Sequence, residues 1–258
     1  YVPMFYDVAY KDDGTIASFT PNNPNASVSI KKQVVTDLSH TYYPEKPVVP
    51  FIKVTQDRVV LEIQRGCIRG CRFCQAGMIY RPNRERDLEF LKDYAIKMLE
   101  STGHEEITLS SLSSSDYSRL EELVNFLMDE CRRKKINISL PSLRIDAFSL
   151  DVMSKVQDVK KSSLTFAPEA GTQRMRDVIN KGLTEEDIFT GAMDAFKGGW
   201  NRVKLYFMLG LPGETPDDIE GIAKLSNDIA ALYYTIPKSE RPGGGRVDVV
   251  TSTSFFVP

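Results

Sequence analysis

The sequence has 258 residues, of which 41% are hydrophobic and 26% charged, with a formal net charge of −2. This balance is typical of a globular protein, and it excludes a largely disordered chain and a general nucleic-acid binder with a basic surface. No run of about 18 apolar residues occurs, and the N-terminus lacks the pattern of a signal peptide, so we expect a cytoplasmic location without a membrane anchor. The first residue, Tyr1, is not a methionine, and we expect the sequence to be a piece of a longer protein.

Residues 1–55 contain turn-forming segments without sustained periodicity, which predicts a loop-rich N-terminal segment. Over residues 56–258, strand-like runs alternate with amphipathic helical patterns, which is typical of βα units around a parallel sheet in one core domain. The predicted strands cover 58–63, 106–111, 136–144, 162–167, 202–209 and 246–256. The predicted helices cover 88–100, 118–134, 150–156, 172–179, 185–197 and 216–232.

Two helix starts carry capping signals. Ser118 is followed three residues later by Glu121, which predicts a capping box, and Thr215 precedes a proline and two acids. Six βα steps fit either an open doubly wound sheet or a partial barrel. In both architectures, functional residues gather at the carboxyl ends of the strands.

Three cysteines, Cys67, Cys71 and Cys74, follow the first core strand. Their thiolates can hold three corners of one four-iron cluster, which leaves the fourth iron open to a small molecule. Gly66 and Gly70 permit the positive φ angles of a tight ligand loop.

The alternative is a structural zinc site, which needs a fourth ligand. The two histidines of the chain, His40 and His104, lack zinc-finger spacing to the cysteines. The fourth cysteine, Cys131, continues the apolar stripe of a predicted helix, and we expect it to be buried.

The segment Cys67-x-x-x-Cys71-x-Phe73-Cys74 resembles the cluster motif of the radical S-adenosylmethionine superfamily. Segments 139–144, 166–171, 179–182 and 204–208 are similar to one uncharacterised family of that superfamily, which is related to the methylthiotransferases. The resemblance covers nearly the whole chain and implies a partial (β/α)₆ TIM-like barrel. It also implies a cobalamin-binding-like domain before the barrel and a further domain after it, so cobalamin is expected only through an upstream domain.

The resemblance implies that S-adenosylmethionine chelates the open iron and that Phe73 lies near the adenine. By position, Ser110 and Ser111 correspond to the segment that meets the methionyl amine, although they also fit a turn into the next helix. Ser142 and Arg144 share one face of the third strand with Asp146, and we expect this face to meet the ligand rather than solvent.

At the end of the fourth strand, Glu169 resembles the acid that binds the ribose of the cosubstrate. Its alternative role is to stabilise the following helix through the helix dipole. Either Arg174 or Arg176, one turn further on, is expected to face the cosubstrate carboxylate. Gly210 would allow the backbone to pack against adenine.

Six arginines crowd the cysteine loop and its exit. They indicate either attraction for an anionic partner, such as a carboxylate, a phosphate or a reduced flavodoxin-type donor, or a network of salt bridges around the loop. Both interpretations stay open from the sequence. The arginines are Arg65, Arg69, Arg72, Arg81, Arg84 and Arg86.

We therefore predict an enzyme that uses a [4Fe-4S] cluster to cleave S-adenosylmethionine reductively to a 5′-deoxyadenosyl radical. We expect flavodoxin or ferredoxin as the reductant, and methylation or methylthiolation of RNA or protein as the reaction. The radical-acceptor residue and the specific substrate are not indicated by the sequence. The alternative is a non-catalytic iron–sulfur or zinc module that serves electron transfer or assembly.

Overall fold

The computed structural model describes residues 2–52, 54–140, 144–147 and 164–257. The chain forms two compact units, residues 1–36 and residues 37–258. Across the described ranges, no helix is both long enough and apolar enough to span a membrane.

The smaller unit contains an antiparallel hairpin of strands β1 (Tyr6–Tyr10) and β2 (Ile16–Pro21). The rings of Tyr6 and Phe19, on the two strands, stack with their centroids 4.6 Å apart. The unit therefore consists of a short hairpin that follows a 3-10 turn at Pro3–Phe5.

The larger unit is built on a set of mostly parallel strands. Along the chain they are β3 (Val59–Glu62), β4 (Gln64–Arg65), β5 (Arg84–Glu85), β6 (Glu106–Ser110), β7 (Asn137–Ser139), β8 (Leu164–Glu169), β9 (Arg202–Leu209) and β10 (Asp248–Phe255). Strands β3, β6 and β7 form one parallel sheet and strands β8, β9 and β10 form another, while β4 and β5 pair antiparallel.

Each parallel strand is hydrogen-bonded to the next parallel strand in the chain within its sheet. A doubly wound sheet instead reverses its strand order at a switch point. The sequential order confirms the predicted α/β architecture with parallel strands in barrel-like succession. In the part of the chain that the structure describes, the strands do not close into a ring.

Helices connect the parallel strands. They are α1 (Gln75–Ile79), α2 (Leu88–Thr102), α3 (Leu120–Lys134), α4 (Gln173–Val178), α5 (Glu185–Lys197) and α6 (Pro216–Tyr234). Helix α6 begins as predicted, with Thr215 as N-cap, proline at the first helical position and acids in the first turn. The predicted helix at 150–156 lies outside the described residues.

The predicted capping box of Ser118 is wrong. Helix α3 has Arg119 at its N-cap position, and this residue makes no side-chain capping bond. The Ser118 hydroxyl and backbone N–H instead donate to the carboxylate of Glu85. A charged acceptor forms a stronger hydrogen bond than a neutral one, so the contact with Glu85 replaces the local cap.

Two strand ends differ from prediction. Strand β7 ends at Ser139 rather than at residue 144, and Pro141, which lacks an N–H for the ladder, follows in the sequence. Strand β8 extends two residues beyond the predicted end, with a register shift between Phe166 and Glu169 in its pairing with β9. The extension places the Glu169 carboxylate at the end of the strand.

Residues 37–55, which were predicted to belong to the lead-in, contribute contacts to the larger unit. Leu38 is 1% exposed, and the Tyr43 hydroxyl donates to Val60 O and accepts from Glu62 N, both at 2.9 Å. The segment before β3 thus packs along that strand. The domain boundary at residue 55 stays a prediction.

Among the described residues, the helices bury the strands in two large hydrophobic cores. One joins β3, β6 and β7 to α2 and α3, and the other joins β8 and β9 to α5 and α6. Burial of each large aliphatic side chain stabilises such a core by about 1.5–3 kcal/mol. Cys131 lies in the first core at 1% exposure, and burial raises the pKa of its thiol to about 11. This confirms its predicted place on a buried helix face.

Candidate functional site

The three cysteines line one cavity of about 280 Å³ at the carboxyl ends of the parallel strands. Phe73, Arg144 and Glu169, which the sequence predicted to meet a cosubstrate, line the same cavity, together with Lys181. Residues distant in the chain thus converge at the strand ends, as expected for a βα architecture. We call this space the thiol cavity.

Backbone hydrogen bonds fold the cysteine loop. Cys74 N donates to Cys71 O at 3.2 Å, and Cys74 is the N-cap of α1, where its Sγ accepts from Gly77 N at 3.3 Å. The Sγ of Cys67 accepts from Arg69 N at 3.4 Å. Two of the three sulfurs are therefore held by N–H groups of their own loop.

Gly66 is required by space and by its backbone angle, whereas the positive φ angle predicted for Gly70 is wrong, since Gly70 is not among the glycines with positive φ. Gly66 has φ +97°, and a Cβ there would lie 2.6 Å from Tyr80 O and 2.9 Å from Pro82 O. A Cβ on Gly70 would lie 2.9 Å from the Nδ2 atom of Asn180. A side chain at Gly66 would displace the backbone that precedes the first cysteine.

Residues 178–182, here called the backing segment, pack against the cysteine loop. Asn180, with φ +52°, donates from Nδ2 to Gly70 O at 2.7 Å. Arg72 N donates to Ile179 O at 2.9 Å. The sequence analysis found this segment only through family resemblance. A stronger signal was the Asn and Gly after a short helix, since both residue types favour a left-handed helix end.

Glu169 and Lys181 form an ion pair inside the thiol cavity. Lys181 Nζ lies 3.0 Å from Glu169 Oε1, and their side chains are 11% and 16% exposed, respectively. The Lys181 ammonium also lies 5.7 Å from the centroid of the Phe73 ring. Glu169 has φ +70°, an uncommon angle for a residue other than glycine, and such backbone strain concentrates at functional sites. The sequence analysis did not identify Lys181.

Burial and the neighbouring charges act in opposite directions on the thiols of this cavity. Burial raises the pKa of the Cys71 thiol, the cations of Lys181 and Arg144 act to lower it, and the neighbouring Cys74 and Cys67 act to raise it. The net direction is upward. The two cations thus only partly offset the cost of placing negative sulfur in this cavity.

Salt bridges fix the arginine side of the cavity. Arg144 is held by Asp146, with Nε–Oδ1 and Nη2–Oδ2 distances of 2.9 and 3.0 Å. Arg69 Nη2 lies 2.6 Å from Asp116 Oδ1. Burial acts to raise the pKa of Asp116, but hydrogen bonds from Arg69 outweigh it and the pKa is lowered. Both carboxylates therefore anchor arginines next to the cysteine loop.

Ser110 and Ser111 lie beside the thiol cavity. They line a neighbouring cleft of about 410 Å³, whereas Ser113, two residues on, lines the thiol cavity itself. Leu112 lines both spaces. The role of the two serines in cosubstrate binding stays a prediction, and Ser142 lies outside the described residues.

Arg174 and Arg176 make contacts elsewhere in the molecule. Arg176 is 1% exposed and donates to Ala170 O at 3.1 Å, and burial lowers the pKa of its guanidinium. Arg174 pairs with the buried carboxylate of Asp218. Neither arginine lines the thiol cavity, where the cations are Arg69, Arg144 and Lys181.

An apolar pocket of about 230 Å³ adjoins the cysteine loop. Phe73 lines both this pocket and the thiol cavity, and Ile179, Leu211 and Phe256 form further walls. Gly210, with φ +82°, directly precedes the wall residue Leu211, and its N–H donates to Glu214 at 2.7 Å. Its predicted role near adenine stays a prediction.

Salt bridges hold some of the six arginines around the cysteine loop. Arg65, Arg69 and Arg86 form salt bridges with carboxylates. Arg72, Arg81 and Arg84 donate to backbone carbonyls. The predicted salt-bridge network is thus present, and attraction for an anionic partner stays a prediction.

The histidines that a zinc site would require lie elsewhere. His40 pairs with Asp37 at 2.6 Å, and His104 lies 3.4 Å from Asp57. Within the described ranges, no three His, Cys, Asp or Glu side chains converge on a single metal ion. A cubane cluster does not need its ligands to converge on one ion, since each thiolate binds a different iron. Three thiols spread around one cavity therefore suit a cubane cluster better than a single zinc ion.

Curated relatives match this chain over its core. An uncharacterized protein of Methanocaldococcus jannaschii is 39% identical over 183 residues, covering 71% of this chain and 40% of that protein. The tRNA-2-methylthio-N(6)-dimethylallyladenosine synthase of Anaplasma phagocytophilum is 25% identical over 203 residues, covering 71% and 43%, respectively. The chain thus spans about two fifths of the length of these relatives.

Among solved structures, the radical S-adenosylmethionine methyltransferase TsrM of Kitasatospora setae, with cobalamin and a [4Fe-4S] cluster bound, has a TM-score of 0.55. It is 14% identical and covers 76% of this chain and 36% of that one, a likeness that shows the fold alone. The model of the radical SAM superfamily matches residues 61–226, which include the three cysteines, Glu169 and Lys181. Because that match spans more than half of the sequence, the chain belongs to the radical SAM superfamily.

Proposed function

We propose that this protein cleaves S-adenosylmethionine reductively and uses the resulting radical to modify RNA or protein. Membership in the superfamily implies a [4Fe-4S] cluster and S-adenosylmethionine as cofactors. The observation that carries the proposal is the convergence of Cys67, Cys71 and Cys74 with Glu169 and Lys181 in one cavity.

The residues of the thiol cavity fit an iron–sulfur cluster. Cys67, Cys71 and Cys74 would hold it, and the N–H groups directed at two of the sulfurs would position those sulfurs. Three thiolates leave one iron for the amino and carboxylate groups of the cosubstrate. When bound, the cluster would supply the electron that breaks the sulfonium bond, giving methionine and a 5′-deoxyadenosyl radical.

The cavity walls support binding of the nucleoside. The Glu169 carboxylate can accept hydrogen bonds from both ribose hydroxyls, as acids do in dinucleotide sites. Phe73 lines both the thiol cavity and the apolar pocket, and the apolar walls of that pocket suit a flat purine. Glu169 and Phe73 would thereby hold the cosubstrate with its sulfonium turned toward the cysteines.

Lys181 takes the role that the sequence analysis gave to Arg174 or Arg176. Arg144 and Arg69 are already held by carboxylates, whereas Lys181 has only Glu169 as its acidic partner among its described contacts. Once ribose hydroxyls bind Glu169, the ammonium would remain close enough to contact the cosubstrate carboxylate. Lys181 therefore contributes to cosubstrate binding and forms an ion pair with Glu169 when the cosubstrate is not bound.

The relatives support RNA or protein as the class of substrate. One is named as a tRNA methylthiolating synthase, and another, from Bdellovibrio bacteriovorus, as a methylthiotransferase of ribosomal protein uS12. A flavodoxin or ferredoxin would supply the electron. Cobalamin would enter only through an upstream domain.

Anaerobic reconstitution with iron and sulfide tests the proposal. We expect the reconstituted protein to carry one cubane and to form 5′-deoxyadenosine, measured by chromatography, when S-adenosylmethionine and a reductant are added. Cys67→Ala, Cys71→Ala and Cys74→Ala should each lose iron, because two thiolates hold a cubane poorly. Cys131→Ala is the matched control and should retain it, since Cys131 lies in the core. A zinc-loaded protein, or a full cluster without any 5′-deoxyadenosine, would instead support the non-catalytic module.

A further inference from the structure

Strand β9 has a face that packs against helices and an opposite face that carries polar side chains. Val203, Leu205 and Phe207 are at most 1% exposed and lie in the core with α5 and α6. Because side chains alternate along a strand, Lys204 and Tyr206 lie on the opposite face. Tyr206 is 39% exposed and Lys204 is partly exposed. Both side chains are therefore open to a ligand.

The polar face of β9 continues across the neighbouring strands. In the parallel register, Lys204 is the partner of Thr165 on β8, and Tyr206 is the partner of Ser252 on β10. Register partners point to the same side of a sheet, and adjacent strands lie about 4.8 Å apart. Thr165 lines the thiol cavity, so Lys204 lies one strand away from the cavity wall. We call these four residues the donor face.

Lys204 and Tyr206 are in direct contact. The Lys204 ammonium donates to the Tyr206 hydroxyl at 3.1 Å and lies 4.6 Å from the centroid of its ring. The hydrogen bond from Lys204 and its charge, with a smaller contribution from Ser252, hold the pKa of the Tyr206 phenol below its ordinary value. The phenol oxygen accepts from its neighbours, which leaves its own O–H to donate to a ligand.

The positive charge of Lys204 is not compensated on the donor face. The contacts of Lys204 within the described ranges are both with Tyr206, so no carboxylate among those residues pairs with its ammonium. Further along the same sheet, Arg202 and Asp248 form an ion pair of 3.1 Å that is neutral as a whole. The donor face thus combines one unpaired cation with three hydroxyl groups.

These groups suit a phosphate better than a carboxylate. In protein–nucleic acid complexes, phosphate oxygens accept hydrogen bonds from lysine and from the hydroxyls of serine, threonine and tyrosine. Carboxylates instead favour the planar, bidentate guanidinium of arginine. Arg202, on the same side of β9, is already paired with Asp248. The chemistry of the donor face therefore indicates a phosphate ester.

We infer that the donor face binds a backbone phosphate of an RNA substrate. This inference rests on the proposed function and selects RNA from the two substrate classes that it leaves open. S-adenosylmethionine carries no phosphate, so the ligand of the donor face is not the cosubstrate. A phosphate on Lys204 would place its own nucleotide beside Thr165 and the thiol cavity. A single local contact of this kind is compatible with the net charge of −2.

The salt dependence of RNA binding tests the donor face. Fluorescently labelled, unfractionated transfer RNA is titrated with the protein at several salt concentrations. Each phosphate contact contributes about 0.7–0.9 to the slope of log affinity against log salt. We expect Lys204→Gln to reduce that slope by one contact and to lower the affinity several-fold, whereas Lys204→Arg keeps the charge and should keep the slope. Tyr206→Phe should lower the affinity by roughly two- to tenfold without changing the slope, because it removes a neutral hydrogen bond.

Lys224→Gln is the matched control. Lys224 is 73% exposed on α6 and pairs with Asp228 at 2.7 Å, so its loss should change neither slope nor affinity. Circular dichroism and thermal unfolding verify that each variant is folded. An unchanged slope for Lys204→Gln would overturn the inference, as would a parent protein that binds no transfer RNA. Should Lys204→Gln fail to fold, an unchanged affinity of Tyr206→Phe would overturn it.

A labelled acidic peptide serves as the competing probe. If Lys204→Gln binds this peptide more weakly than the parent does and binds transfer RNA equally well, the donor face belongs to a protein substrate and the inference is overturned.

The RNA titration needs neither cluster nor cosubstrate, so the two proposals fail separately. Absence of 5′-deoxyadenosine together with a salt slope that depends on Lys204 would refute the proposed function and retain the phosphate site. Formation of 5′-deoxyadenosine with a slope that does not depend on Lys204 would do the reverse.

Discussion

Glu169→Gln tests the placement of the cosubstrate. The substitution keeps the shape of the side chain and removes its charge, so ribose hydroxyls would donate to a neutral amide oxygen. A hydrogen bond to a charged group contributes about 1.5–3 kcal/mol, so the dissociation constant of S-adenosylmethionine should rise by roughly one to two orders of magnitude. Glu169 is not a cluster ligand in our proposal, and iron content should not change.

The structure adds a second consequence of this substitution. Lys181 is 11% exposed, and Glu169→Gln leaves its ammonium without the carboxylate 3.0 Å away. Loss of a buried partner usually destabilises the fold, so thermal unfolding is measured on the variant before binding. We expect the variant to remain folded at 25 °C, with the lost ion pair visible as a lower Tm.

Titration with S-adenosylmethionine and with 5′-methylthioadenosine, which lacks the carboxylate, separates the two residues. Glu169→Gln should lower the affinity for both ligands, because both carry the ribose. Lys181→Met should lower the affinity for S-adenosylmethionine more than that for methylthioadenosine if the ammonium contacts the carboxylate. Equal affinity of Glu169→Gln and the parent for both ligands would refute ribose binding by Glu169. If Lys181→Met lowers the affinity for both ligands equally, Lys181 acts only by positioning Glu169.

Three further predictions concern the framework of the site. Gly66→Ala should abolish iron binding with little change in circular dichroism, since a Cβ would lie 2.6 Å from Tyr80 O. The control is Gly103→Ala, a glycine with φ +69° around which a Cβ would meet no atom within 4 Å. Iron retained by Gly66→Ala would contradict the steric argument. Asn180→Gly keeps a left-handed backbone and removes the hydrogen bond to Gly70 O. Such a bond contributes about 1 kcal/mol, so a chelator should extract iron from the variant several-fold faster than from the parent. An unchanged extraction rate would show that the backing segment does not stabilise the cysteine loop. Burial acts to raise the pKa of Asp218, but hydrogen bonds from Thr172, Arg174 and Thr215 hold it well below its ordinary value. The stabilisation from these bonds is present above about pH 4 and is lost as the pH falls toward the lowered pKa. Asp218→Asn should therefore lower the free energy of unfolding by on the order of 2–3 kcal/mol at pH 7 and by less in acid. A loss that is independent of pH in denaturant titrations would refute the assignment.

Local patterns account for the parts of the fold that could be predicted. The strand at Arg202–Leu209 and the helix at Glu185–Lys197 have the predicted bounds, because a strong period and clear caps specify them within one segment. The same holds for the grouping of the three cysteines, which are close in sequence. The short pair β4 and β5 has two residues per strand and carries no period to detect.

Features that depend on distant residues were not predictable. Lys181 meets Glu169, twelve residues earlier, only through the path of α4 and the left-handed residues Asn180 and Gly182 that follow it. Ser118 carries a valid capping signal, but Glu85 from another strand competes for its hydroxyl. The arginines around the loop divide according to which carboxylates the fold brings near, and the sequence alone does not contain that information.

The contacts of the backing segment bear on how the protein acquires its metal. Asn180 Nδ2 and Ile179 O hold Gly70 and Arg72 through protein–protein hydrogen bonds that require no iron. Ordering one backbone residue costs about 1–2 kcal/mol of conformational entropy, and a loop that is already folded does not meet that cost again when a ligand binds. These hydrogen bonds should therefore lower the conformational entropy that the loop loses when it binds a metal.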